Sequence, residues 1–252
     1  RRGLARSREA ATDLIEARVV LVSGIPATKP ASQVDAETSI VISENRDEFV
    51  SRGGHKLAGA LSVFQEIVVA GKRALDAGAS TGGFTDVLLR SGAREVVAVD
   101  VGYGQLAWEL RQDSRVQILD RTNVRNLTLE HIGEPAELVV ADLSFISLTL
   151  VLPALVAVTT SDADFLVMVK PQFEVGREKL GAGGVVRDPA LRLGAIEEVA
   201  RGAWEVGLGV AGVTASPLPG PSGNVEYFLW LKRGTHELTD EELDNAIALG
   251  PQ

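Results

Sequence analysis

Cysteine is absent from the 252-residue chain, histidine occurs three times (His55, His131, His236) and methionine once, at Met168. Without cysteine there are no disulfides, thiolate zinc sites, iron–sulfur clusters or cysteine nucleophiles, and the composition fits a reducing cytoplasm. The histidines are far apart in sequence, so no metal site is expected. No basic segment leads into an apolar stretch of the kind that directs secretion, so no signal peptide is expected. With Met168 as the sole methionine, the sequence is expected to lack the natural chain's first residues.

A long uncharged run is also nearly absent. Leu143 to Ser161 is 19 residues without a charge, long enough for a bilayer. It contains Ser144, Ser147, Thr149, Pro153, Thr159, Thr160 and Ser161, and acids rather than basic or aromatic anchors flank it. A buried helix of a soluble domain is expected there, and membrane association is not.

Hydrophobic residues make up 45% and charged residues 23%, an ordinary globular composition. The length allows one large domain or two unequal ones. The net charge of −9 hides an asymmetry. The first 30 residues carry Arg1, Arg2, Arg6, Arg8, Arg18 and Lys29 against Glu9, Asp13 and Glu16, a balance of +3 that leaves −12 on the rest. A basic end on an acidic body suggests a polyanion-binding module attached to something else.

Residues 1–43 read as that module. Ser7 is placed to cap a helix continuing through Ala10, Ala11, Leu14, Ile15 and Ala17. Short strands are expected at 19–22 and 39–43, with a turn at Ser23-Gly24 and a loop holding Pro26, Lys29 and Pro30. Residues 44–52 read as a linker. From Gly53 to His236 strands and helices alternate, which implies βαβ units and a mostly parallel sheet. Strands are expected at 74–76, 95–100, 116–119, 138–142, 165–170, 209–215 and 226–232. Helices are expected at 55–65, 84–91, 105–111, 146–158 and 189–207. Only residues 216–225 join the last two strands, too few for a parallel crossover. The fold expected is therefore an α/β sheet of seven strands with one antiparallel member. The tail 237–252 has five acids and no base and is expected to be a loose helix end.

Residues 75–84 (Leu-Asp-Ala-Gly-Ala-Ser-Thr-Gly-Gly-Phe) link the first strand of the larger unit to a helix. Gly78, Ser80, Gly82, Gly83 and Phe84 make a turn at which backbone approaches a ligand closely. The spacing is not the G-x-G-x-x-G of dinucleotide folds. Asp76, two residues before Gly78, would repel a pyrophosphate but suits a ligand with an ammonium group, such as S-adenosylmethionine. Asp100, ending the next strand and followed by Val101, sits where an acid accepts ribose hydroxyls. Asp120, Thr122 and Asn123 are candidates for the adenine edge.

Asp142 and Lys170 end neighbouring strands and point at the crevice where open α/β sheets bind ligands. Glu226 begins an antiparallel strand, which brings it to the same edge, and Lys56 lies on a helix able to cover the crevice. Such a set suits methylation of a hydroxyl. Lys170 would accept the proton or stabilise the developing alkoxide. Asp142 and Glu226 would orient the lysines.

The stretches Asp76–Phe84, Ala141–Ser147, Lys170–Glu174 and Ser222–Tyr227 resemble the TlyA family, over nearly the whole chain. The resemblance implies an S4-like RNA-binding domain of α+β type before a class I, Rossmann-like methyltransferase domain of the FtsJ (RrmJ) type. It implies S-adenosylmethionine as cofactor and methylation of ribose 2′-hydroxyls, of cytidine, in ribosomal RNA. By it, Lys56, Asp142, Lys170 and Glu226 match a catalytic tetrad, Asp76, Gly78 and Asp100 match cofactor motifs, and residues 3–24 match the S4 core. Asp142 would serve the cofactor site as well as the tetrad. Arg1, Arg2, Arg6, Arg8 and Lys29 would face RNA phosphates. DNA, lacking the 2′-hydroxyl, is not an expected partner. Phe49 stands where the family's linker has tryptophan, and the sequence as it stands begins after the family's basic leading helix. The alternatives are a nicotinamide oxidoreductase, disfavoured by Asp76 and the glycine spacing; a non-catalytic RNA-binding or ribosome assembly factor; and a membrane-active hemolysin, a name some members carry.

Overall fold

A computed structural model describes residues 4–5, 7–16, 19–22, 25–27, 29–35, 38–42, 49–234 and 238–250. The chain divides into two compact units, residues 1–48 and 49–252.

In the first unit, helix α1 (Arg8–Glu16) is followed by strands β1 (Val20–Val22), β2 (Ile25–Pro26) and β3 (Ile40–Ile42), in the antiparallel order β2-β1-β3. The Ser7 hydroxyl accepts the Ala10 N–H at 3.0 Å, the expected cap. Pro26, read as loop, belongs to β2. That strand lies at the sheet edge, where a residue without an N–H is tolerated. Arg8 and Lys29 are exposed. Arg1, Arg2, Arg6 and the turn at Ser23-Gly24 lie outside the described residues.

The second unit runs α2 (Arg52–Val63), β4 (Arg73–Ala77), α3 (Gly83–Arg90), β5 (Glu95–Val99), α4 (Trp108–Arg111), β6 (Val116–Leu119), α5 (Leu129–Ile132), β7 (Ala136–Ala141), α6 (Leu152–Ala157), β8 (Thr159–Val169), α7 (Pro171–Glu174), α8 (Pro189–Glu205), β9 (Leu208–Ala215), β10 (Tyr227–Arg233) and α9 (Asp240–Ala248). Among the described residues seven strands pair in the order β6-β5-β4-β7-β8-β10-β9. Only β10 is antiparallel, against both neighbours, as the short 216–225 connection requires. The strand order reverses between β4 and β7, and a ligand crevice opens beyond the carboxyl ends at such a switch point.

Alternation along the strands divides the core into two layers. Phe165, Val167 and Val169 of β8 and Tyr227, Leu229 and Leu231 of β10 face α6, α8 and α9. Leu166, Met168, Phe228 and Trp230 face α2 and α3. Side chains of period two on both faces are what a sheet covered on both sides demands.

Several elements differ from the sequence expectation. The expected helix 146–158 is a 3₁₀ turn (Leu148–Leu150) followed by α6, because Pro153 starts a helix and cannot continue one. The expected helix 105–111 shrinks to α4. Strand β8 begins at Thr159, six residues early. Its polar start hid it from the hydrophobic pattern, yet Asp164 is buried on ion pairing with Lys72 at 2.9 Å and a hydrogen bond from the Trp230 indole at 3.0 Å. Arg52, read as linker, opens α2.

The acidic tail is not loose. Thr239 and Glu242 form a capping box, and Asp240, Glu241 and Glu242 occupy the first turn, where carboxylates complement the helix dipole. Leu243 and Ala246 are buried against the α6–α8 layer. No helix among the described residues is long and apolar enough to cross a membrane. Leu243→Ala is expected to lower the unfolding free energy by about 2–4 kcal/mol in urea titrations; an unchanged midpoint would mean that α9 does not dock.

Candidate active site

The loop after β4 is pinned from behind. The N–H groups of Gly78 and Ala79 donate to the Val99 carbonyl at 2.8 and 3.1 Å. Gly78 has φ +91°, and a Cβ there would lie 2.6 Å from the Asp142 carbonyl oxygen, so only glycine lets the ends of β4 and β7 approach. Ser80 is held at φ +48° by its N–H donating to an Asp100 carboxylate oxygen at 2.8 Å. The other Asp100 oxygen accepts the Gly102 N–H at 2.7 Å.

Asp76 is fully buried beneath this loop. One carboxylate oxygen accepts the Thr85 hydroxyl at 2.6 Å, and the other has no protein partner. Burial pushes its pKa up to about 7, against the Thr85 hydrogen bond, with the Asp142 and Asp100 charges adding to the rise.

Glu226 immediately precedes β10 and is 1% exposed. The Lys56 ammonium, from α2, meets its Oε2 at 2.6 Å. The Lys170 ammonium lies 2.6 Å from Asp142 Oδ1 and donates to the Ser144 hydroxyl at 3.0 Å. The Asp142 contact is a close ion pair rather than an aligned hydrogen bond, since that oxygen finds no donor of good geometry. Two lysines and two acids are paired in this way at a largely buried edge, where losing one partner typically costs about 3–5 kcal/mol.

Two cavities open on this edge. One, of about 250 Å³, is lined by Lys56, Lys170, Glu226, Arg52, Gly83 and Phe84. The other, of about 510 Å³, is lined by Asp100, Val101, Asn123, Val124, Leu143 and Ile146. Gly78, Ser80, Asp142 and Ser144 belong to the walls of both. A cleft with apolar side chains and an acid thus meets, at Asp142, a smaller pocket that carries both lysines.

The expected site residues divide accordingly. Lys56, Asp142, Lys170, Glu226, Gly78, Ser80, Gly83, Phe84, Asp100, Val101 and Asn123 line one cavity or both. Asp76, Gly82 and Thr122 line neither. Gly82, at φ +100°, faces Leu106 and Leu110, where a Cβ would be 2.2 Å from a Leu110 methyl. The Thr122 hydroxyl donates to the Asp120 carbonyl at 3.2 Å, and Asp120 itself pairs with Arg111. The Asn123 side chain accepts the Arg125 N–H at 3.0 Å and caps a 3₁₀ turn. Sequence reasoning missed Ser144, Thr85, Arg52 and Gln105. Ser144 follows Asp142 by two residues, which was a usable signal; nothing local marks Arg52 or Gln105.

The native state holds a proton on Asp76 up to about pH 7, whereas the unfolded chain releases it near 3.8. The stability this proton confers is full below pH 3.8 and is lost as pH rises through 7. The unfolding free energy of the wild type relative to Asp76→Asn is expected to fall by about 3 kcal/mol between pH 4.5 and 7.5. A pH-independent difference in denaturant titrations would contradict it.

Residues 49–233 match FtsJ-like methyltransferases and residues 1–40 match the S4 domain. The 16S/23S rRNA (cytidine-2′-O)-methyltransferase TlyA of Mycobacterium tuberculosis is 59% identical, over 98% of this chain and 92% of that protein. Hemolysin A of Brachyspira hyodysenteriae is 37% identical over 89% of this chain and 93% of its own length. A solved structure from Streptococcus thermophilus, described as a candidate hemolysin, superposes with a TM-score of 0.79 at 37% identity, over 98% of this chain and 90% of that one. Likeness of this extent, over nearly the whole of both chains, makes the kinship plain: the chain belongs to the TlyA family of FtsJ-like methyltransferases.

Proposed function

We propose that this protein transfers a methyl group from S-adenosylmethionine to the ribose 2′-hydroxyl of cytidine in ribosomal RNA. The observation that carries the reading is the wall the two cavities share, in which Asp142 stands with Lys170 paired to it from the smaller cavity.

The larger cavity suits the cofactor. Val101, Val124, Leu143 and Ile146 offer apolar contact to a purine, Asp100 an acceptor for ribose hydroxyls, and Asp76 keeps one unpartnered oxygen beneath the loop. A cleft edged by the Asp100 and Asp142 carboxylates opposes a pyrophosphate and favours a cationic ligand. S-adenosylmethionine supplies an electrophilic methyl group on a sulfonium.

The smaller cavity suits the acceptor nucleotide. Asp142 and Ser144 hold two sides of the Lys170 ammonium, leaving its remaining donor direction for a substrate oxygen. Lys170 stabilises the oxygen as its charge develops and, as the free amine, takes the hydroxyl proton at Nζ. Glu226 fixes Lys56 at the far wall, so both lysines are oriented before substrate arrives. Positioning of this kind supplies about 7–11 kcal/mol of a reaction barrier. Phe145, 91% exposed at the rim beside Phe173, offers an aromatic face to an unstacked base.

Arg8 and Lys29, with Arg1, Arg2 and Arg6, contribute phosphate contacts that hold the RNA without reading its sequence. The S4 match supports that role. A substrate of this kind places the protein with ribosomes in the cytoplasm.

Incubation with methyl-labelled S-adenosylmethionine and unmodified ribosomal subunits, then nucleoside mass spectrometry, is expected to give 2′-O-methylcytidine. Lys170→Ala is expected to slow methyl transfer about 10²–10⁴-fold, with cofactor affinity by calorimetry close to wild type. Loss of cofactor binding in that variant would instead move Lys170 into the cofactor site.

A further inference from the structure

We propose that Glu174 is a positioning residue for methyl transfer: its carboxylate locks the loop after β7 to the turn after β8, and so holds Asp142, Ser144 and Lys170 in register. The inference rests on the methyltransferase reading above and extends it to a residue that touches neither cavity.

Asp142 and Lys170 leave neighbouring parallel strands, and nothing in the sheet ladder fixes the loops beyond them. The chain after Asp142 runs through Ser144 and Phe145 to Ser147, while the chain after Lys170 makes the single turn α7. Glu174 closes the gap. Its Oε2 accepts the Ser147 hydroxyl at 2.5 Å and its Oε1 accepts the Leu148 N–H at 3.0 Å. Ser147 in turn accepts the Thr149 N–H at 3.2 Å and caps the 3₁₀ turn. On the other side, the Phe173 N–H donates to the Lys170 carbonyl at 2.8 Å, so a shift of α7 is felt at Lys170.

The loop held in this way carries local strain. Phe145 has φ +65°, a left-handed conformation that a bulky residue keeps only where its surroundings impose it. Its ring packs on Phe173, centroids 5.1 Å apart, and Phe173 lies under the Lys170 ammonium at 6.0 Å. Leu143, Ser144, Phe145 and Ile146 all line the larger cavity. One carboxylate therefore ties together the acceptor-side lysine, its two oxygen partners and a wall of the cofactor cleft. Burial raises the pKa of Glu174 while its two donors act against the rise, so the carboxylate is kept where it is by hydrogen bonding rather than by a cation.

The test compares Glu174→Ala and Glu174→Gln in the full chain on ribosomal subunits. Glutamine can still accept the Leu148 N–H and donate to the Ser147 oxygen, whose hydroxyl then turns to Thr149; alanine can do neither. Glu174→Ala is expected to lower kcat about 10- to 100-fold, with the KM for S-adenosylmethionine close to wild type. Glu174→Gln is expected to restore kcat to near wild type. Unchanged kcat in Glu174→Ala, a rise in the cofactor KM alone, or a loss that glutamine does not restore and that accompanies a drop in Tm would each overturn the proposal. Lys170→Ala run alongside separates the two readings. If that variant also methylates RNA normally, the methyltransferase mechanism fails; if it is inactive while Glu174→Ala is wild type, only the positioning role fails.

Discussion

Charge buried at the carboxyl edge of the sheet is the constraint to which the site answers. Lys56, Asp142, Lys170 and Glu226 come from a helix, the ends of β7 and β8, and the start of β10. Each would be costly alone in so enclosed a place. Pairing at 2.6 Å in both cases makes their presence tolerable, and it also fixes the two lysines relative to the cavities. The connection carrying Glu226 is drawn tight to the same end. A Cβ at Gly220 would lie 2.6 Å from its Oε1, so the Pro- and Gly-rich segment closes over the acid without side chains. The Asn224 side chain binds that segment to residues 184–186 through the Gly184 carbonyl and the Val186 N–H.

The opposite edge is built for rigidity. Arg73, 2% exposed at the start of β4, donates to Glu95, Gln117 and the carbonyls of Ile132 and Glu134. Its donors are spent on the protein. At the carboxyl edge, by contrast, the Asp76 and Asp142 oxygens keep unfilled capacity, and both cavities lie there. The same sheet thus carries an arginine network at one edge and, at the other, two carboxylates with unfilled acceptors beside the cavities.

Relatives of this chain carry both methyltransferase and hemolysin names. The segment long enough to suggest a membrane span, Leu143 to Ser161, is divided among a loop, a 3₁₀ turn, α6 and the start of β8. Its lack of charge has an ordinary cause: Leu148, Val151, Leu152 and Leu155 pack into the layer below the sheet, while Leu143 and Ser144 line the cavity of about 510 Å³.

Much of the site was legible in the sequence because it sits at strand ends, and strand ends can be read from hydrophobic runs closed by Asp76, Asp100, Asp142 and Lys170. The antiparallel last strand was legible too, since chain length alone forbids a crossover over residues 216–225. Local pattern fails where a role depends on who stands opposite. Thr122 bonds the Asp120 carbonyl, Gly82 packs against Leu110 and Asp76 holds the Thr85 hydroxyl, contacts that one dimension does not show. The tail looks solvated until Leu243 and Ala246 meet the core, and the polar start of β8 hides Asp164, which pairs with Lys72 and accepts the Trp230 indole N–H. Residue type and spacing determined the layered α/β fold and the charges at its strand ends, because these rest on periodicity and connection length, while the family rests on the motifs that resemble it. Which lysine pairs with which acid, how two cavities share a wall, and what Glu174 holds were decided only in the tertiary structure, because those contacts join residues up to 170 positions apart in the chain.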